Sequence, residues 1–265
     1  MIVMEYNYSH LICFSPTHSS HLIGESILRE IRTELWEETD LTYEEPHQQL
    51  TIRDAVAIVV VPVYAGRVAE TALERMKNIC GENSIAIPVV VYGNRDYDDA
   101  LLELTDWCRQ HGFMPFAAAA FIGEHSYSRP DRPIAANRPH DEDLRIAQHF
   151  GRKIYERLSN LSHLPRQFPL TVKGHFPYKE KKPASLQTPL TLEEKCIECG
   201  FCLEICPVQA IRLEGKIVSD PSACIKCCAC VKQCPQEARV FDTPYTDLLF
   251  QNFSTPREPE LFFAE

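Results

Sequence analysis

Two cysteine runs constrain this chain more than any other feature. Cys196-x2-Cys199-x2-Cys202-x3-Cys206-Pro207 is followed by Cys224-x2-Cys227-x2-Cys230-x3-Cys234-Pro235. Each cysteine of the first run recurs 28 residues later, as do Pro207 (Pro235) and Ala210 (Ala238). The segment is an internal duplication and should fold with approximate two-fold symmetry. Nine of the 12 cysteines lie between Cys196 and Cys234. In a secreted protein such density suggests disulfides; in a cytosolic one it suggests metal. Three thiolates at i, i+3 and i+6 on a tight loop can grip three irons of one cubane. The fourth, on a short helix pointing away, reaches the other cluster. This predicts two [4Fe-4S] clusters: cluster I on Cys196, Cys199, Cys202 and Cys234, cluster II on Cys224, Cys227, Cys230 and Cys206. Soft thiolate matches iron–sulfide chemistry. Zinc can occupy CxxC pairs but rarely needs two such runs in tandem. Cys228 falls outside the register and reads as a small filler beside cluster II. Cys13, Cys80 and Cys108 read as buried apolar residues rather than reactive thiols.

The two runs resemble the bacterial two-cluster ferredoxins, over about a fifth of the chain. Ile211–Glu214 and Lys216–Val218, around Gly215, read as a short hairpin-like pair, with Ala238–Phe241 the symmetry mate of Ala210–Leu213. We expect a small α+β ferredoxin domain over residues 190–241.

The first 162 residues read differently, as alternating strands and helices. His10–Phe14 opens as a strand. Ser19–Trp36 carries Ile23, Ile27, Ile31 and Leu35 every four positions and reads as an amphipathic helix. Ala55–Tyr64 is a β-branched run of the kind buried on both faces of a sheet. Glu70–Cys80 reads helix, Ile85–Tyr92 strand, Asp98–His111 helix and Phe116–Ile122 strand. Asp141–Leu161 reads helix, its acidic start suited to the dipole. The remaining strand is placed at Leu41–Glu44. This alternation implies parallel strands with right-handed crossovers. The expected fold is α/β: a flavodoxin-like, doubly wound, five-stranded parallel sheet of order 2-1-3-4-5, with the ferredoxin domain appended.

In such a sheet ligands sit at the carboxyl ends of the strands, near the switch point. The first loop there is Ser15-Pro-Thr-His-Ser-Ser20, four hydroxyls and a row of amides leading into a helix. It can bind a phosphate without Lys or Arg, and its place after the first strand and its many hydroxyls favour that over an ordinary Ser/Thr helix cap. The loops Pro62-Val-Tyr-Ala-Gly-Arg-Val68 and Tyr92-Gly-Asn-Arg-Asp-Tyr97 each offer an aromatic, a Gly and an Arg, suited together to a planar ring. Candidate cofactor-binding residues are Ser15, Thr17, His18, Ser19, Ser20, Pro62, Tyr64, Ala65, Gly66, Arg67, Tyr92, Gly93, Asn94, Arg95 and Tyr97. Arg67 and Arg95 are expected to stabilise negative charge on a reduced ring. After the last strand, Glu124, His125 and Tyr127 can overhang the site. His125 could supply a proton, because its unperturbed pKa lies near neutrality; a hydrogen-bonded loop histidine is the plainer reading.

Ser15–Ser20 resembles the S/T-x-T-G-x-T phosphate loop of flavodoxins, with His18 where glycine is usual. FSPTHSS, PVYAGRV, VVYGNRDYDDALLEL and FIGEHSYS together resemble the flavodoxin-type domain of a fusion family, sometimes labelled ferrodoxin, that joins flavodoxin and two-cluster ferredoxin. The resemblance covers nearly the whole chain and implies FMN rather than FAD.

Residues 163–189, with five prolines and Lys179, Lys181 and Lys182, read as a partly extended linker. Residues 242–265 carry so many large apolar groups that the tail should pack back on the body. The formal charge of −10 argues against nucleic acid and anionic membranes as partners. The longest apolar stretch, Ala55–Gly66, is 12 residues, too short to span a bilayer. MIVMEYNYSH lacks a basic, then apolar, leader, so a cytoplasmic location is expected; GxGxxG and GxxxxGK[ST] are absent. The function read from this is electron relay between FMN and two clusters, coupling one- and two-electron partner proteins in an anaerobic or microaerobic host. The alternatives are a flavin-dependent reductase of a small molecule fed by the clusters, or a ferredoxin with a flavin-free docking domain. The chain reads as an electron carrier rather than an enzyme; as an enzyme it would be an iron–sulfur flavoprotein oxidoreductase. Its oligomeric state stays open.

Overall fold

The computed structural model describes residues 6–161, 167–181 and 185–265. Strand β1 (Tyr8–Cys13) leads into α1 (Ser19–Ile31), whose buried stripe is Ile23, Ile27, Leu28 and Ile31. Gly24 lets this helix lie close on the sheet: a Cβ there would stand 2.7 Å from Leu11 and 2.9 Å from Val60. Arg32, at φ 54°, ends the helix in a left-handed turn. The expected helix to Trp36 is thus too long, and the expected strand at Leu41–Glu44 is misplaced. Leu35 and Trp36 instead open β2 (Leu35–Asp40), where they are 68% and 60% exposed. Leu35 continues the four-residue apolar spacing by coincidence. An edge strand facing solvent shows no burial pattern to contradict it.

The chain continues through β3 (Leu50–Arg53), β4 (Val56–Tyr64), β5 (Arg67–Val68), α2 (Glu70–Met76) and β6 (Ile79–Glu82). After these come β7 (Ile85–Tyr92), α3 (Ala100–Gln110), β8 (Met114–Pro115), β9 (Ala117–Ile122) and α4 (Asp141–Ser159). The central strands lie in the order β2-β1-β4-β7-β9, all parallel. That is the expected 2-1-3-4-5 arrangement of a flavodoxin-like sheet. β7 is buried throughout and β4 from Val56 to Val61, as strands covered on both faces must be. β3 and β6 form an unforeseen parallel pair, so the helix expected to run to Cys80 stops at Met76. α1 and α4 cross closely at Gly151, where a Cβ would meet the Ile27 carbonyl at 2.4 Å. The acidic start of α4 is a capping box: His140 Nδ1 accepts from the Asp143 amide, and Asp143 from the His140 amide.

The cysteine-rich segment contains β10 (Leu190–Thr191), α5 (Phe201–Glu204), β11 (Ile211–Leu213), β12 (Ile217–Ser219), α6 (Ala229–Lys232) and β13 (Arg239–Val240). β11 pairs antiparallel with β12 and β10 with β13. The duplication is visible in the backbone. Glu198 and Lys226, Gly200 and Cys228, and Gln209 and Glu237 all adopt positive φ in pairs 28 residues apart. Finally α7 (Pro244–Phe253) leads to β14 (Glu260–Phe263), which adds antiparallel to β9 and covers that edge of the sheet.

The segment read as a linker is partly a strap on α3. Asp99 accepts from the amides of His175 (2.9 Å) and Lys179 (2.6 Å), and Gly174 lies against Leu102. Pro165, Lys182 and Pro183 lie outside the described residues.

Candidate functional site

A cavity of about 630 Å³ opens at the carboxyl ends of β1, β4, β7 and β9, a volume suited to a cofactor. Its walls include Ser15, Thr17, Ser19 and Ser20 from the first loop, Pro62, Tyr64, Ala65 and Gly66 from the second, and Tyr92, Gly93 and Arg95 from the third. The first loop is built by its own polar groups. The Ser15 amide donates to Thr42 Oγ1 (2.9 Å), and Ser15 Oγ accepts from the His21 amide (3.1 Å). Among the described residues the amides of Ser19 and Ser20 meet no protein acceptor and are available to an anion, whereas that of His21 is taken by Ser15.

Four expected residues do not line this cavity. His18 contributes only a backbone turn, at φ 63°, and its ring is exposed. Arg67 faces away: it is paired with Glu103 (Nε to Oε2, 2.8 Å), lies over the Tyr178 ring and donates to the Lys179 carbonyl. Asn94 holds the tail, donating to the carbonyls of Phe253 (2.6 Å) and Thr255 (2.8 Å) and accepting from the Arg257 amide. Tyr97 is fully buried, with its hydroxyl on Glu260 (2.8 Å). These partners come from far along the chain, so the loops alone gave no sign of them. Arg95 does line the cavity but is ion-paired with Asp98, which offsets much of its charge.

Other walls come from Glu124, His125, Ser126 and Tyr127 after β9, from Lys179, Glu180 and Ser185 of the strap, and from Ile225, Lys226 and Tyr245. Only the β9 loop was foreseen; the remainder is brought in by tertiary packing. Gly93 is needed for this closure, because a Cβ there would stand 2.5 Å from His125 Cδ2 and 2.9 Å from its Cα. Burial pushes the His125 imidazole down to about 4, with the Lys232 and Arg95 cations adding to it. Its Nδ1 accepts from the Tyr127 amide (3.0 Å). His125 is therefore neutral at physiological pH, a hydrogen-bond donor through Nε2 rather than the proton source considered above.

The eight duplicated cysteines surround two smaller cavities. One is lined by Cys206, Cys224, Cys227 and Cys230, with Cys228 beside them. The other is lined by Cys196, Cys199, Cys202 and Cys234. Each therefore takes three cysteines from one run and the fourth from the other. Matching N–H···S bonds run from Ala210 to Cys206 (3.2 Å) and from Ala238 to Cys234 (3.3 Å). Burial pushes the thiols of Cys227 and Cys230 up to about 12 and about 11, so binding a thiophilic centre there must displace protons. Among the described residues no three His, Cys, Asp or Glu side chains converge on a single-ion site. Four soft sulfur donors around each open space fit a polynuclear iron–sulfur group.

Ile225 lines both the large cavity and the nearer cysteine cavity. Tyr64 and Ile225 both pack against the cluster of Ile205, Cys227 and Ala229. The juncture is held by Lys232 on Glu124 Oε1 (2.5 Å) and the Ser128 carbonyl (2.8 Å), Gln233 on the Pro16 carbonyl (3.1 Å), and Arg75 on the Pro207 carbonyl. Tyr127 stands edge-on to Phe241.

Residues 195–238 match the 4Fe-4S dicluster domain family. No curated protein matches the chain. Among solved structures, a flavodoxin from the domain Archaea is 13% identical, over 57% of this chain and 98% of that one, with a TM-score of 0.38. A short-chain flavodoxin associated with a non-canonical PDU bacterial microcompartment is 11% identical over 57% and 99%, at 0.40. Rubredoxin oxygen:oxidoreductase from the anaerobe Desulfovibrio gigas is 14% identical over 57% of this chain, at 0.38, and this chain spans only 35% of it. Among the described residues no helix is long and apolar enough to cross a membrane. By its strand order and its cysteine-rich segment, the chain is a flavodoxin-like α/β body that carries a C-terminal 4Fe-4S dicluster domain, a combination suited to electron transfer.

Proposed function

We propose that the chain is an electron relay, with FMN in the large cavity and a [4Fe-4S] cluster in each cysteine cavity, linking one-electron to two-electron partner proteins. The observation that carries this reading is the shared wall at Ile225, which puts the two kinds of site side by side. When bound, the flavin exchanges one or two electrons and each cluster one.

The residues have distinct tasks. Ser15, Thr17, Ser19 and Ser20, with the amides at the start of α1, hold the phosphate. Tyr64 and Tyr92 offer aromatic surface to the ring, and the neutral His125 offers a donor. Tyr127, Tyr245 and the strap exclude water. Cys206, Cys224, Cys227 and Cys230 hold the cluster nearer the cavity; Cys196, Cys199, Cys202 and Cys234 hold the farther one. At the farther site Cys199 is exposed, and Ile197 and Phe201 present apolar surface, where a partner can approach.

The test is anaerobic reconstitution of the full chain, with flavin, iron and sulfide counted. The reading expects one FMN and about eight irons per chain. A chain that takes up eight irons but refuses FMN would leave only the docking-domain alternative.

A further inference from the structure

Arg239 breaks the duplication where symmetry would place an apolar residue. Its mate 28 positions earlier is Ile211, which lines the cavity of Cys206, Cys224, Cys227 and Cys230. Arg239 lines the opposite cavity, that of Cys196, Cys199, Cys202 and Cys234. It is only 3% exposed. Its terminal nitrogens donate to Thr191 Oγ1 (2.6 Å), the Pro189 carbonyl (3.0 Å) and Ser219 Oγ, all of them neutral acceptors. Nη2 also reaches Cys230 Sγ at 3.9 Å, a cysteine of the other cavity. Nε is buried with no acceptor among the described residues.

A guanidinium stays charged at any physiological pH. Burying it with neutral partners alone is costly, and the cost is recovered only when an opposite charge lies close by. Among the described residues no carboxylate is bonded to it, whereas it lines the cavity of one set of four cysteines and reaches Cys230 of the other. A [4Fe-4S] cluster held by four thiolates is anionic and becomes more so on accepting an electron. A fixed cation beside it favours the reduced form and raises its potential, more strongly in a low-dielectric setting.

We infer that Arg239 is the shared counter-ion of both clusters and holds their potentials above the values that thiolate ligation alone would give. The inference rests on the cluster reading above and names a positioning residue in no direct role as a ligand. It gives the two halves of the duplication different electrostatic roles, although their ligands are the same.

The test uses the full chain, reconstituted anaerobically, as wild type and as Arg239→Lys, Arg239→Gln and Arg239→Leu. Iron and sulfide are counted first, and both cluster midpoints are then read by potentiometric titration with electron paramagnetic resonance detection. Arg239→Gln and Arg239→Leu should lower both midpoints by at least a tenfold change in the reduced-to-oxidised ratio, which is 59 mV for one electron. Arg239→Lys should keep most of the wild-type values. Unchanged midpoints in a fully loaded Arg239→Gln chain overturn the inference. If Arg239→Gln and Arg239→Leu fail to hold iron, retention by Arg239→Lys supports a need for charge, and equal loss in Arg239→Lys overturns it. A wild-type chain that takes up no clusters refutes the cluster reading itself, is seen in the first iron count, and removes this inference with it.

Discussion

The large cavity draws its walls from segments spread between Ser15 and Tyr245, whereas both cysteine cavities are walled between Pro189 and Arg239. The first is an assembly of strand-end loops, a strap and a tail; the second is a local, duplicated motif. Damage should therefore spread differently in the two. A lost cysteine should remove one centre and leave the other, while a lost contact at the large cavity should loosen distant segments together.

The largest effect is expected at Cys206. Cys206→Ala should cost the cluster otherwise held by Cys224, Cys227 and Cys230, and halve the iron, while the Cys196 cavity stays loaded. Iron counting with resonance spectra checks this. Loss of the centre on Cys196, Cys199 and Cys202 instead would break the cross-pairing of the runs.

Asn94→Ala comes next. It removes three part-buried hydrogen bonds to the tail and leaves polar groups of residues 253–257 without their partner. The expected cost is about 2–3 kcal/mol, read as a lower denaturation midpoint and faster proteolysis of the tail. FMN affinity should weaken as well, because Asn94 fixes the loop that carries Gly93 and Arg95. A tail that stays protected would show that the loop and the tail are independent.

Thr17→Glu places a carboxylate where the phosphate is proposed to sit. FMN affinity should fall about tenfold, or about 1.4 kcal/mol, with iron content untouched. Unchanged FMN binding would move the phosphate away from the first loop.

The last prediction concerns pH. His125 titrates at about 4 in the fold against 6.5 for the free side chain. Between those values the unfolded chain binds more protons, so this residue's contribution is present above pH 6.5 and lost as pH falls toward 4. His125→Phe should flatten that slope in denaturation measured across the window. An unchanged slope would mean that His125 is already protonated in the fold.

The same contrast explains what the sequence discloses. The pairing of cysteines and the hairpin of Ile211–Leu213 with Ile217–Ser219 are local, so spacing alone carries them. The buried strands at Val56–Tyr64 and Ile85–Tyr92 are legible because burial on both faces demands a continuous apolar run. β2 is not, because Leu35 and Trp36 lie on an exposed edge and mimic a helical period. Arg67, Asn94 and Tyr97 sit on the right loops but serve Glu103, the tail and Glu260, partners that no local pattern discloses. Lys226 and Ile225 reach the large cavity only because the ferredoxin segment docks there.

The central claim is that the cofactor in the large cavity and the cluster of Cys206, Cys224, Cys227 and Cys230 are neighbours across Ile225. The most direct measurement is the spin relaxation of the one-electron-reduced flavin in the full chain, with the clusters reduced. Strong enhancement that disappears in Cys206→Ala and persists when Cys199→Ala removes the farther cluster is the predicted result. Relaxation that is indifferent to Cys206→Ala, or that follows Cys199 instead, would contradict the account.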